Sequence, residues 1–275
     1  MLLAWSIATT AARATAERDT AGVTTPRPSS AEYFDGWYAA MAVSPRKDEI
    51  MQRHLGLPPY LLVTSSVTWT GIAEIVDLLA LAPGSRLLDL ACGRGGHGQE
   101  IASRTGAELV GVDFSQEAIR QAARLAHERG ITASYTVGDL AWTGLPDASV
   151  DAVLVVDSIQ FAQETHRAFA EIRRVLRVGG RVVLTGWEAT QRGDERVPAR
   201  LRDLDVGAGL GHAGFDDVVV QSRDDWRDAE LEMWAEAAAL DPRDDPTLVS
   251  FHDEGVRSLV APETLRRVLA SATAA

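Results

Sequence analysis

From residue 86 onward the chain alternates short aliphatic and β-branched runs with stretches of helical periodicity, a pattern that restricts it to βαβ units around a parallel sheet. Strands are predicted over 86–90, 107–112, 131–137, 152–156 and 181–185, with a further one over 217–221. A helix over 96–104 joins the first two strands. Ser115 reads as the N-cap of a second helix that ends at Gly130 and turns Ile119, Ala122, Ala123 and Ala126 toward the sheet. A third helix carries Phe169, Ile172, Val175 and Leu176. Crossovers of this kind are right-handed and bring ligands to the carboxyl ends of the strands, so a site is expected there. The fold class is α/β, a Rossmann-like doubly wound sheet, and the sequence has no internal repeat.

The chain of 275 residues is 46% hydrophobic and 24% charged, which suits one large domain with an appendage. A formal charge of -12 disfavours nucleic acid and anionic membrane as partners and leaves a small-molecule substrate. Cys92 is the single cysteine, so neither an intrachain disulfide nor a cysteine-based zinc site forms, which fits the cytoplasm. The 6 histidines lack ligand spacing, and no metal is expected. Residues 1–14 are apolar but without the basic start of a signal peptide. With Pro26, Pro28, Ser29 and Ser30 following, residues 1–30 read as a mobile arm. No apolar run approaches the ~20 residues that span a bilayer.

The chemistry concentrates in LLDLACGRGGHG, Leu87 to Gly98. Gly93 and Gly95 let the backbone turn sharply and approach a ligand, and the following helix offers unpaired amides. Gly93, Gly95 and Gly98 also satisfy the dinucleotide fingerprint, with Asp113 about 20 residues on, so an NAD-type dehydrogenase is a real alternative. Three features favour another reading. Asp89 is a carboxylate in a strand that dehydrogenases keep apolar, VGDL puts Asp139 just past the third strand, and RVLRVGGRVVLTGW (Arg174 to Trp187) is a helix, a Gly179-Gly180 turn and a strand.

On these residues the stretch from about 86 to 187 resembles the class I S-adenosylmethionine-dependent methyltransferases, in particular the branch with ubiquinone/menaquinone-pathway and bacterial natural-product enzymes. Val178 stands where that family usually has proline, and Ala91 where it usually has glycine. The resemblance implies S-adenosyl-L-methionine as cofactor. Asp89 would face its methionine end, and Ala91, Cys92, Gly93 and Gly95 would line methionine and ribose. Asp113 would clamp the ribose hydroxyls, Phe114 would lie on the adenine, and Asp139 and Leu140 would flank it. Gln160 or Asp157, after the fourth strand, would orient the methyl acceptor or the cofactor's amino group. His54 is a candidate base, and Trp69 a candidate aromatic neighbour of the sulfonium. His97 reads as a surface or helix-start residue.

The resemblance also implies seven strands, the last antiparallel between the fifth and sixth. Only 267–272 is available for it, although PETLRRVLASATAA favours helix by local propensity. Residues 262–265 are then at most a short turn. The expected organisation is an N-terminal helical lid over 31–85, a cofactor-binding core over 86–225, an inserted helical lid over 226–260 and a closing strand over 261–275. The function implied is methyl transfer to an O, N or C acceptor of a small metabolite, in secondary metabolism. Beside the dehydrogenase, a cyclase or binding protein of the same fold is the other reading left open.

Overall fold

The computed structural model describes residues 30–275; the arm expected over 1–30 lies, Ser30 apart, outside the described residues. Seven strands, Arg86–Leu90 (β1), Glu108–Asp113 (β2), Ala133–Val137 (β3), Val150–Val156 (β4), Leu176–Ala189 (β5), Phe215–Ser222 (β6) and Leu265–Ala274 (β7), form one sheet in the order β3-β2-β1-β4-β5-β7-β6. The pairs among β1 to β5 are parallel, and β7 is antiparallel to both β5 and β6. This is the Rossmann-like sheet with an antiparallel last strand.

Helices Ala31–Met41 (α1), Arg46–Leu55 (α2) and Trp69–Leu79 (α3) precede the sheet, and Gly96–Thr105 (α4), Gln116–Glu128 (α5) and Thr165–Val175 (α6) cross between parallel strands. Ala199–Arg202 (α7) and Val206–His212 (α8) lie between β5 and β6, and Asp224–Ala239 (α9) and Val249–Ser258 (α10) between β6 and β7. Short polar side chains start several of them. Ser30 accepts from Tyr33 N, Thr68 from Gly71 N, Ser115 from Ala118 N and Asp205 from Ala208 N, each satisfying an amide the helix leaves free.

Each sheet face carries its own core. Leu88, Leu90, Val153 and Val155 pack with Phe169 and Ile172 of α6 and Leu210 of α8 on one side. Leu87, Leu154 and Val183 pack with Ile72 of α3, Ile101 of α4 and Trp226 and Met233 of α9 on the other. Central parallel strands are buried on both faces, which is why VLVV reads as an unbroken apolar run and LLDL as one interrupted only by Asp89. β7 follows the same rule by alternation: Val268, Ala270, Ala272 and Ala274 enter the first core and Leu269 the second.

Three expectations are corrected. β5 begins at Leu176, five residues early, because the Gly179-Gly180 turn is absorbed within the strand where the register against β4 shifts between Val150 and Ala152. α5 buries Ala118, Gln121, Ala122 and Ala126 and exposes Ala123, since α1 packs on it and draws that face round, Gln121 Nε2 donating to the Tyr38 carbonyl at 3.0 Å. His97 is in the first turn of α4 but is buried at 7% exposure rather than on the surface, and Leu62 and Val63 lie against that turn at Gly96.

Candidate active site

The glycine loop between β1 and α4 is held by two carboxylates at adjacent strand ends. Asp113, the last residue of β2, accepts from Gly93 N at 2.8 Å and from Ser115 N at 2.9 Å. Asp89, in β1, accepts from Gly98 N at 3.1 Å, an approach open only to glycine, since a Cβ on residue 98 would lie 2.5 Å from Asp89 Oδ2. Ala91 sits in the left-handed region at φ 59, which is the physical reason that position suits glycine. Neither acid has a cationic partner among the described residues. Burial therefore raises their pKa values, Asp89 to about 7 and Asp113 to about 6, against the lowering by their backbone donors. Burial, with these two acids adding to it, also pushes the Cys92 thiol up, so it stays protonated and serves as packing and not as a nucleophile.

α1 closes this loop from above. A Cβ on Gly93 would lie 2.8 Å from the Tyr38 hydroxyl, and Asp35 Oδ1 accepts from the Ser115 hydroxyl at 2.5 Å and from Glu117 N at 3.0 Å, adding a second cap to α5. The Phe34 ring stands 5.2 Å from Phe114 and 6.0 Å from Phe161. A groove of about 550 Å³ runs from Phe114 past Val137, Gly138 and Asp139 to Trp142. Asp139 is exposed there, its carboxylate accepting from Ala141 N at 2.7 Å, whereas Leu140 turns into the first core.

At the end of β4 the structure builds a network that sequence reasoning missed. Arg267 of β7, 0% exposed, grips both oxygens of Asp157, whose carboxylate also accepts from Thr185 Oγ1 at 2.7 Å and Ser66 N at 3.1 Å. Glu230 of α9 lies 3.4 Å from the same guanidinium. Burial raises the Asp157 pKa, but Arg267 and the hydrogen bonds outweigh it and hold this acid below the ordinary carboxylate range; burial instead raises Glu230 to about 7. An arginine at an inward position of an apolar strand was the available signal, since a buried charge demands a partner. Gln160 sits beside this network, its Nε2 donating to the Asp157 carbonyl at 2.7 Å and its Oε1 buried without a partner.

The remaining candidates lie elsewhere. His54 closes the seam between α2 and α9, its Nε2 2.7 Å from Glu236 Oε2. Trp69 receives the Arg104 guanidinium 4.1 Å above its ring at the last turn of α4, nine residues or about 13 Å along the helix from Gly95. The structure thus brings together Asp89, Ala91, Cys92, Gly93, Gly95 and Asp113, with Phe114 and Asp139 in the adjoining groove and Asp157 and Gln160 at the end of β4. It does not bring His54 or Trp69 to them.

Residues 88–184, which carry these acids and glycines, match the family model described as the methyltransferase domain. A sterol 24-C-methyltransferase of Gibberella zeae is 31% identical over 137 residues, 48% of this chain and 36% of the relative. The chain spans about a third of the length of the sterol methyltransferases it matches. Among solved structures, the 4+2 cyclase SpnF has a TM-score of 0.68 at 22% identity, over 89% of this chain and 96% of that one. Phosphoethanolamine N-methyltransferase 2 of Haemonchus contortus, in complex with phosphomonomethylethanolamine and S-adenosylhomocysteine, has a TM-score of 0.67 at 20% identity, over 86% and 59%. The core has the Rossmann-like fold of these methyltransferases, and residues 88–184 are similar to the methyltransferase domain.

Proposed function

We propose that this chain is an S-adenosylmethionine-dependent methyltransferase acting on a small molecule. One observation carries the choice of cofactor: Asp89 and Asp113 are buried at adjacent strand ends without an ion-pair partner among the described residues, and the amides of Gly93 and Gly98 are already spent on their carboxylates. A dinucleotide needs those amides for its pyrophosphate and would bring two negative charges against two more. A cationic nucleoside fits, because its charge offsets the burial that now penalises both acids. When bound, S-adenosylmethionine supplies a methyl group already activated on a sulfonium.

The residues to hold it are those the resemblance names: Asp113 for the ribose hydroxyls, Phe114 and Asp139 for the adenine, Asp89 for the methionine end. The chain's remaining task is positioning and exclusion of water. Helices α1, α2, α9 and α10 make the cover, tied to one another by Ser44 and Asp245 at 2.7 Å and by His54 and Glu236 at 2.7 Å, and we read them as a two-part lid. A small metabolite suits the acidic surface, and the sterol and phosphoethanolamine enzymes among its likenesses methylate carbon and nitrogen, by their names. A role in secondary metabolism, in the cytoplasm, beside the ubiquinone/menaquinone-like branch is our reading of the motifs.

Calorimetry tests the cofactor. S-adenosylhomocysteine should bind with micromolar affinity or better and NAD should give no saturable heat. Asp113→Ala should weaken S-adenosylhomocysteine by about tenfold or more, the loss of a charged hydrogen-bond partner at roughly 1.5 to 3 kcal/mol. Saturable NAD binding with no response to S-adenosylhomocysteine would reinstate the dehydrogenase.

A further inference from the structure

Lys47 is the single lysine among the 27 lysines and arginines of the chain; all the others are arginine. It is buried at 7% exposure in the first turn of α2, between residues of α1 and α10. Its Nζ donates to Met41 Sδ at 2.8 Å and lies 4.5 Å from the centre of the Trp37 ring and 5.7 Å from that of Phe251. No carboxylate of the described residues forms an ion pair with it. The acid beside it in the chain, Asp48, is already taken, since both of its oxygens accept from Arg94.

The same contacts carry Lys47 to the glycine loop. Arg94 stands between Gly93 and Gly95, so its pairing with Asp48 fastens the start of α2 to that loop. Tyr38, next to Trp37 in α1, has its hydroxyl against Gly93. His54, the base expected from the sequence, is turned away to Glu236. The surroundings of Lys47 favour a neutral amine. A buried ammonium needs acceptors for three donors or a counter-charge, and a thioether and two ring faces are weak substitutes. Burial, with Arg94 adding to it, brings the pKa of Lys47 down to about 7, against the pull of Asp48 and Glu254. Arginine cannot shed its proton in such a place, whereas lysine can.

We infer that Lys47 is the base of the methyl transfer and that the acceptor is a phenol-type hydroxyl on a flat apolar molecule. This rests on the S-adenosylmethionine reading. The acceptor hydroxyl gives its proton to Nζ as its oxygen forms a bond to the methyl carbon. The carbon–sulfur bond breaks with its electron pair left on sulfur, so the products are a methyl ether and S-adenosylhomocysteine. Lys47 then returns the proton to water. A carboxylic acid is already ionised at neutral pH and needs no base, and an aliphatic hydroxyl holds its proton too tightly for this amine. A phenol, with an ordinary pKa of about 10, lies between them. An ammonium acceptor would add a third cation beside Lys47 and Arg94, and the Trp37 and Phe251 rings that flank Nζ suit a flat partner.

Because Lys47 is the single lysine, protein grown on lysine labelled with nitrogen-15 at Nζ carries one labelled side-chain amine, whose chemical shift reads its charge. At pH 8, in protein saturated with S-adenosylhomocysteine, that signal should be the one of a neutral amine. Adding 2-naphthol should move it to the ammonium position, and the absorption of the bound naphthol should shift to that of its ionised form. The methyl ether 2-methoxynaphthalene, which has no proton to give, should leave the amine neutral. Lys47→Met should bind S-adenosylhomocysteine within about threefold of wild type and lose the naphthol shift. Lys47→Arg is the second variant where Lys47→Met lowers the thermal midpoint: it keeps a charge but accepts no proton, so any ionisation of naphthol there should release a proton to the buffer, which the wild type does not. An amine that stays charged at pH 8, or 2-naphthol that fails to bind or binds without ionising, overturns the inference. Wild-type protein that does not bind S-adenosylhomocysteine overturns the cofactor reading instead.

Discussion

Asp89 shows how one buried carboxylate trades stability for a ligand. Its pKa in the fold, about 7, lies above the ordinary value of 3.8, so between those values the folded state binds more protons than the unfolded chain, and stability falls as pH rises toward 7 and above. The ionised acid is a cost at pH 8 and little cost at pH 5. Asp89→Asn keeps an oxygen for Gly98 N and removes the charge. It should raise unfolding stability by about 2 kcal/mol at pH 8, with the gain shrinking as pH falls toward 5, while S-adenosylhomocysteine binding weakens. Urea titrations of both proteins at the two pH values check this; a gain of equal size at both would mean that the charge is not what the substitution relieves. At this scale the glycines, Asp89, Asp113 and Asp139 were legible in the sequence, because strand ends and loop spacing are local. His97 was not. The turn that holds it is packed against Leu62 and Val63, more than 30 residues away, which no local pattern announces.

At the scale of elements, β7 is where local preference and tertiary pairing conflict. Alanine and arginine in LRRVLASATA favour helix by a few tenths of a kcal/mol each, yet nine residues pair with β5 from Leu265 to Thr273 and six with β6. Unpaired, the facing edges of β5 and β6 would leave buried backbone groups unsatisfied at roughly 1 to 3 kcal/mol apiece, which exceeds the propensity difference. The same strand delivers Arg267 to Asp157 and Glu230, joining β4, β7 and α9. Arg267→Met should therefore destabilise by about 3 to 5 kcal/mol, since it strands an ionised Asp157 in the interior, and adding Asp157→Asn should recover a good part of that. Denaturation midpoints of the two variants decide it. A single variant within 1 kcal/mol of wild type would show that the network is not closed in solution.

For the whole molecule, the helices before the sheet are structural as well as covering. Ile50, Met51, Leu55, Ile72, Ile75 and Leu79 are each at most 2% exposed and pack with Leu87, Leu154 and Val183 of the sheet in one core. Chains that start at residue 82 should lose cooperative unfolding and bind hydrophobic dyes, because one sheet face would then lack that wall. A truncated protein with a sharp thermal transition and wild-type near-ultraviolet dichroism would contradict this.

Periodicity and turn chemistry by themselves determined the parallel α/β core, the order of its first six strands along the chain, the inserted helical pair and the glycine loop, because each follows from contacts within a few residues. Only the tertiary structure decided which side chains share a space. It paired Asp157 with Arg267 from 110 residues away, sent His54 to Glu236 and Trp69 to Arg104, extended β5 through its glycines, and buried His97. The physical reason is common to all of them. A buried polar group is placed by the partner that satisfies it, and that partner is near in space but not in sequence.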